Sequence, residues 1–309
     1  MQDLMVDKPS APVAIVSHDA GSAEILSSYV AQQGLRCIYS LAGPALKIFE
    51  RKLGSIDVVQ LEESIPKAGW LLCGTGWGSD LEWRAIKLAR EYGKRSIAFL
   101  DHWVNFRERF SRGSEVCLPN EIWVGDALAE SLARRVLPEV KIRLVKNPYF
   151  EDLKRELSAI PKPNKAGRIG LNVLFVSAAL REHGLRGFGN ERHFGYTEEE
   201  ALHYFLSNLH VLGQPVERIV IRPHPSEPFH KYDWAKQEYK LPIINGGLHT
   251  LLEEIVESDV VAGFESMAMV VGLLVRKRVI NCIPPGGKAS ELPQPEIEQL
   301  QILSLGKLN

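Results

Sequence analysis

Cysteine is scarce in this chain: Cys37, Cys73, Cys117 and Cys282 are the only four in 309 residues. They are scattered, with no C-x-x-C and no close His/Cys spacing. This excludes a disulfide framework and a zinc site and predicts reduced, buried thiols, with no metal held by the chain. Net charge is nearly absent as well, at -1 from 37 Lys+Arg against 38 Asp+Glu. No global field therefore draws nucleic acid or an anionic membrane, and any anion site must be local. The arginines form no long basic stripe, which speaks against nucleic acid as a partner. No uninterrupted apolar run approaches the roughly 20 residues of a membrane helix. The opening "MQDLMVDKPSAP" lacks the apolar core of a signal peptide, so the expectation is a soluble, cytoplasmic protein.

What is present is a long, ordinary globular chain, 45% hydrophobic and 24% charged. Single hydrophobic cores usually stop growing at roughly 250 to 300 residues, so two domains are expected. Short β-branched runs alternate with helical stretches, the signature of parallel α/β architecture. Strands are expected near 13–18, 36–42, 57–62, 70–75, 96–101, 121–126 and 141–147. The clearest helix is 79–93, capped by Ser79 or Asp80, with Leu81, Ile86, Leu88 and Ala89 as its buried face. The stretch "SAIPKPNKAGRIG" (158–170) interrupts the pattern with proline, glycine and lysine and reads as a linker. The alternation then restarts, with strands at 172–180, 218–225, 241–246, 259–266 and 278–285 and helices at 197–213 and 249–258. The reading is a flexible tail over 1–12 and two Rossmann-like domains, 13–160 and 170–309, facing a central cleft. Between Leu180 and Thr197 the glycine-rich, basic "REHGLRGFGNERHFGY" reads as a loop, either a flap over a ligand or a long solvated connection.

Two stretches of the second half point to an anion. In "VIRPHPSEP" (220–228) prolines at 223 and 225 fix the backbone on both sides of His224 and push Arg222 and His224 into extended, exposed conformations. Such rigidity suits a site more than a hinge. In "GFESMAMVVGL" (263–273) a short strand gives way to a helix, so N–H groups around Ser266 and Met267 would face outward where phosphate binds. Taken alone, Ser266 reads as a plain helix cap; it is the combination with "RPHP" that points to a ligand. Glu265 would repel phosphate but could accept hydrogen bonds from a ribose or sugar hydroxyl. Both stretches lie at carboxyl ends of strands in one sheet and could converge on one phosphate or nucleotide.

At these residues the chain resembles the GT-B superfamily of nucleotide-sugar glycosyltransferases, and more narrowly bacterial capsule and surface-polysaccharide enzymes of the sialyltransferase-like and Kdo-transferase-like kinds. Those families carry a His-Pro motif that contacts the donor's phosphate and a serine or threonine at a later helix start. The matching residues are His224 and Pro225, then Ser266. The resemblance implies a nucleotide-sugar as co-substrate with no bound cofactor, a glycan or glycolipid acceptor, and peripheral association with membrane assembly machinery. The chain departs from the sialyltransferase type in lacking two acidic residues followed by glycine in its first half. It also contains no D-x-D, the carboxylate pair that metal-dependent transferases use, so a metal-independent mechanism is expected.

Inverting transfer needs a base for the acceptor hydroxyl. In "VSHDAGSAEIL" (16–26) His18 fits that role with Asp19 as its partner, although Asp19 reads equally as a helix cap. Gly21 at the same helix start is a candidate acceptor contact. "CGTGWGSDLEW" (73–83) offers Thr75 and Gly76 for an acceptor or anion, or else a plain turn. "FLDHWVNFRERF" (99–110) offers Asp101 as a second base, with His102 and Arg107 or Arg109 for an anion. An ion-paired helix start with Trp103 and Phe106 packed inward is the alternative there. Two other functions share these features: a non-hydrolysing nucleotide-sugar 2-epimerase, and a non-catalytic nucleotide-binding subunit of a polysaccharide machine.

Overall fold

The computed structural model describes residues 11–76, 79–163 and 167–306. Most of the expected tail, part of the linker and the Trp77–Gly78 step lie outside the described residues. The chain divides into two compact units, the boundary falling between Lys154 and Arg155, a little before the proline-rich stretch.

The first unit contains β1 (Val13–Ser17), α1 (Ala20–Gln33), β2 (Cys37–Leu41), α2 (Pro44–Leu53), α3 (Leu61–Lys67), β3 (Trp70–Cys73), α4 (Leu81–Glu91) and β4 (Arg95–Leu100). A small antiparallel hairpin, β5 (Ser111–Arg112) with β6 (Glu115–Val116), follows. Then come β7 (Glu121–Val124), α5 (Ala127–Val136), β8 (Lys141–Leu144) and the start of α6 (Pro148–Ala159), within which the boundary falls. The sheet runs β2-β1-β3-β4-β7-β8 and every pair in it is parallel. Central strands β1, β3 and β7 are buried along their whole length, which is why they read as unbroken apolar runs. Ile15, Leu72, Phe99 and Trp123 pack with Leu26 and Phe49 on one side of this sheet. Each such fully buried side chain stabilises the fold by about 1.5–3 kcal/mol before entropy is counted.

The second unit contains β9 (Leu171–Val176), α7 (Leu180–Phe188), α8 (Glu198–Ser207), β10 (Val216–Arg222), α9 (Asp233–Glu238) and β11 (Ile243–Asn245). It closes with α10 (Leu251–Glu257), β12 (Val260–Gly263), α11 (Met267–Leu274), β13 (Arg278–Asn281), β14 (Glu298–Gln299) and α12 (Leu300–Leu305). Its sheet, also parallel, runs β11-β10-β9-β12-β13-β14. That is the doubly wound order, in which the strand sequence reverses at β9. Phe175, Phe205 and Phe264 form the aromatic centre of its core. Helices α8 and α10 both begin with capping boxes, Thr197 with Glu200 and Thr250 with Glu253.

Three expectations need correction. The run 57–62 is no strand; Val58 makes a single bridge to Tyr39, and α3 starts at Leu61. The glycine-rich stretch after Leu180 is not all loop, because α7 occupies its first half. Leu180 and Gly184 are buried, and Gly189 closes the helix in a left-handed conformation with its N–H on Leu185. Helix α4 buries Glu82, Ala85, Ile86 and Ala89, leaving Leu81 and Leu88 half-buried.

Candidate functional site

In the first sheet the strand order reverses between β1 and β3, and ligands of such sheets bind beyond the carboxyl ends there. The residues just past β1, β3 and β4 are His18 and Asp19, Thr75 and Gly76, and Asp101 and His102. The chain turns sharply after Ser17, with Asp19 extended (φ -83°, ψ 152°), and Asp19 makes no side-chain cap on α1. Its carboxylate meets the histidine instead, Nδ1 of His18 lying 2.7 Å from Asp19 Oδ1. A carboxylate can only accept, so Nδ1 carries the proton and the lone pair of the neutral ring sits on Nε2. The imidazole is 23% exposed. Gly43 (φ +55°) makes its placement possible, since a Cβ there would lie 2.6 Å from Nε2. Gly76 does the same for Asp19, where a Cβ would lie 2.6 Å from Oδ2.

Asp101 is committed differently. Arg109, which is buried, donates from Nη1 to Asp101 Oδ1 at 3.0 Å and to the carbonyl and hydroxyl of Thr75 at 3.0 and 3.1 Å. The other Asp101 oxygen packs against Gly21 in the first turn of α1, where a Cβ would run into it. Helix α1 has no acidic residue of its own in that turn, so Asp101 supplies the negative charge its N-terminus favours. Asp101 is thus paired with Arg109 and set against the start of α1, whereas His18 is paired with Asp19 through Nδ1 alone. Burial pulls the His102 pKa down to about 4, outweighing Asp101 beside it, and its ring packs edge-on to Trp103. Arg107 turns away to Glu139 and the Val136 carbonyl at 3.2 Å. Of the two arginines, Arg109 is the one in the cluster.

Beneath the pair lies a residue the sequence reading passed over. Glu82, in the first turn of α4, is 2% exposed, and its Oε1 accepts the His18 backbone N–H at 2.7 Å. Burial drives its pKa up to about 7, with the Asp19 charge adding to the push.

At the corresponding end of the second sheet the "RPHP" residues are held as follows. Arg222 is partly engaged within the unit: Nη1 donates to Glu254 Oε2 at 2.7 Å and to the His249 carbonyl at 3.0 Å. Pro225 occupies the first central position of a turn in which Glu227 N–H donates to the His224 carbonyl at 2.8 Å. The Glu227 carboxylate accepts the His224 N–H at 2.7 Å, closing the turn from both sides. His224 Nδ1 is held by Ser226, 2.9 Å from its hydroxyl and 3.2 Å from its backbone nitrogen, so the ring is oriented through Nδ1 and presents Nε2. Loss of hydration lowers the His224 pKa against the pull of Glu227 and Glu182. Glu227 is itself anchored by Lys231 (2.8 Å) and the Tyr232 hydroxyl (3.3 Å), and Tyr232 reaches Ser177 at the end of β9 (2.5 Å). Lys231 also pairs with the buried Glu198.

Ser266 caps α11, its hydroxyl accepting Ala268 N–H at 3.3 Å, and Met267 opens the helix. Glu265 holds a left-handed backbone (φ 39°), and both its oxygens accept the Glu291 N–H, at 3.0 and 3.1 Å. Burial raises its pKa. Sequence reasoning missed Glu82, Glu227, Lys231 and Glu254. Only Glu227 and Lys231 left a local trace, by their spacing of three and four residues along one turn.

No protein-family profile and no curated protein matches the sequence. Solved structures do match. The UDP-GlcNAc 2-epimerase from Methanocaldococcus jannaschii gives a TM-score of 0.50 at 12% identity, over 87% of this chain and 83% of that one. The UDP-GlcNAc 2-epimerase from Neisseria meningitidis, solved bound to UDP-GlcNAc, gives 0.55 at 11% identity, over 96% and 90%. At such identities the likeness is one of fold. The chain has the two-domain, parallel-sheet α/β architecture of the Rossmann type that defines GT-B-like proteins.

Proposed function

We propose that the chain is a metal-independent glycosyltransferase. It would move a sugar from a nucleotide-sugar donor to a glycan or glycolipid acceptor, working beside membrane assembly machinery, with no bound cofactor. The observation that carries this reading is the His18–Asp19 hydrogen bond at 2.7 Å at the strand-order reversal of the first sheet. It supports a general base: Asp19 fixes the tautomer and the ring's orientation, and Nε2 takes the acceptor hydroxyl's proton as the new glycosidic bond forms. In the second unit His224 Nε2–H and the N–H groups opening α11 would meet the departing nucleotide phosphate. Glu265 and Met267 would lie at the same helix start.

A second reading, a nucleotide-sugar 2-epimerase acting without hydrolysis, is favoured by the number of ionisable groups gathered around His18. Asp19, Asp101 and His102 accompany it at the strand ends, and Glu82 joins them from the first turn of α4.

The deciding experiment incubates the purified protein with individual nucleotide-sugars in D2O, with and without a surface-glycan acceptor. Nucleotide release only with acceptor is the expected result. Deuterium at the sugar's C2 with donor alone would replace the transferase by the epimerase. For either reaction His18→Ala should lower kcat by about 10²–10⁴-fold. Turnover unchanged in that variant would remove His18 from the mechanism, and absence of turnover or nucleotide binding in the parent would favour a non-catalytic subunit.

A further inference from the structure

Glu82 is the buried ionisable group for which the proposed mechanism has no use. Its Oε1 holds the His18 N–H across 64 residues of chain, and its Oε2 is buried with no hydrogen-bond partner among the described residues. The ionisable groups facing it are His18 and Asp19 from the turn after β1 and the buried Cys73 thiol at the end of β3. Among the described residues no lysine or arginine pairs with it. On α1, Ser22 lies close by, bonded to Ser17 at 3.0 Å and so spoken for.

We propose that Glu82 is a positioning residue that acts through His18: it anchors the peptide carrying the imidazole and, by taking or releasing one proton, switches a charge beneath the His18–Asp19 pair. The inference rests on the reading of His18 as the base. An ionised carboxylate with one bare, buried oxygen is poorly solvated, so the neutral form is favoured until the pH approaches 7. As Glu82 gives its proton to solvent, the new negative charge stabilises the imidazolium. His18 then becomes a stronger base. Below that range Glu82 is neutral, and Asp19 alone supports the ring. Oε1 accepts the His18 N–H in both states, so the switch changes charge without moving the backbone.

The test needs no substrate. In wild-type protein carrying ¹³C-labelled glutamate and ¹⁵N-labelled histidine, the Glu82 carboxyl should titrate near neutrality, and the His18 ring should show a second inflection at the same pH. In Glu82→Gln, whose side-chain oxygen still accepts the His18 N–H, that inflection should vanish. The two His18 curves should then differ across the range in which Glu82 titrates in the wild type. A wild-type Glu82 titrating near the ordinary value of about 4.3 would overturn the proposal even if the variant failed to fold. So would superimposable His18 curves for the two proteins. If the protein turns over substrate, the acid limb of the kcat profile should move to lower pH in Glu82→Gln, with KM unchanged. Coupled titration in a protein lacking any transferase activity would overturn the function and leave the coupling standing.

Discussion

At the carboxyl end of the first sheet, ionisable side chains touch one another and glycine. At the same end of the second, they are consumed in ion pairs and turns. His18 and Asp19 pack against Gly43 and Gly76, residues whose missing Cβ leaves room for an imidazole and a carboxylate. Arg222, the residue that looked most like a phosphate ligand, is paired with Glu254, and Lys231 with Glu198 and Glu227. Both units share a parallel, doubly wound topology, so the strand ends themselves do not decide the chemistry. A charge held in a buried pair has little left to offer a ligand, whereas a hydrogen-bonded histidine with a free lone pair keeps its proton chemistry. The contrast is between a strand end where a histidine is held by its neighbouring carboxylate and one where Arg222 and Lys231 are drawn into ion pairs.

The largest effect should come from breaking the second unit's network. Lys231→Met would leave the buried Glu227 (5% exposed side chain) without its cation and, among the described residues, Glu198 (2%) with only the more distant Arg181 at 3.4 Å. Removing one partner of a buried pair costs about 3–5 kcal/mol. Urea denaturation of the intact chain, followed by tryptophan fluorescence, should show the second unit unfolding early while the first keeps its midpoint. A loss below about 1 kcal/mol would mean the network is solvated and the contrast between the units is false. Gly21→Ala tests the other side. Its methyl lands on the Asp101 carboxylate, which Arg109 pins from behind at 3.0 Å. Overpacking of this kind costs about 1–3 kcal/mol. The double variant with Asp101→Ala should recover part of that cost, because removing the struck carboxylate removes the clash. Simple additivity would show that Asp101 does not occupy the start of α1.

Legibility in the sequence followed the range of the interaction. Strands β9, β12 and β13 were readable as short, largely buried apolar runs, and β10 by the alternation of buried Ile219 and Ile221 with less buried neighbours, ended by Pro223. The start of α8 was readable from Thr197 and Glu200, three residues apart. The "RPHP" turn was legible as rigid, but its cause was not. Two prolines suggested stiffness, while the closing contacts come from Glu227 and, through it, Lys231 and Tyr232. The partner of Arg222 lies 32 residues away on α10, beyond any local pattern. Glu82 was invisible for a different reason: a glutamate on an amphipathic helix reads as surface. Only the packing of α4 beside β1 shows that this one points inward. Helix α7 was hidden by its own composition, since glycine within a short stretch counts as loop until Gly189 is seen closing a helix.

The smallest effect separates two roles that coincide at Ser266. Its hydroxyl is committed to the Ala268 N–H at 3.3 Å, and replacing such a cap by alanine costs about 1 kcal/mol. Ser266→Ala should therefore lower the unfolding midpoint slightly. On the proposed function the stabilisation given by a bound nucleotide should stay intact, because the donors that would meet its phosphate are the backbone N–H groups of α11 rather than this hydroxyl. A nucleotide at about a hundred times its Kd adds roughly 2.7 kcal/mol to a protein that binds it only when folded. A loss of even half of that in the variant is readily measured. If it vanished in Ser266→Ala but persisted in Ser266→Gly, loosening of the helix start would be responsible, since glycine caps almost as well as serine. If it vanished in both, the hydroxyl itself would meet the phosphate, and the second unit would hold a reactive strand end much like the first.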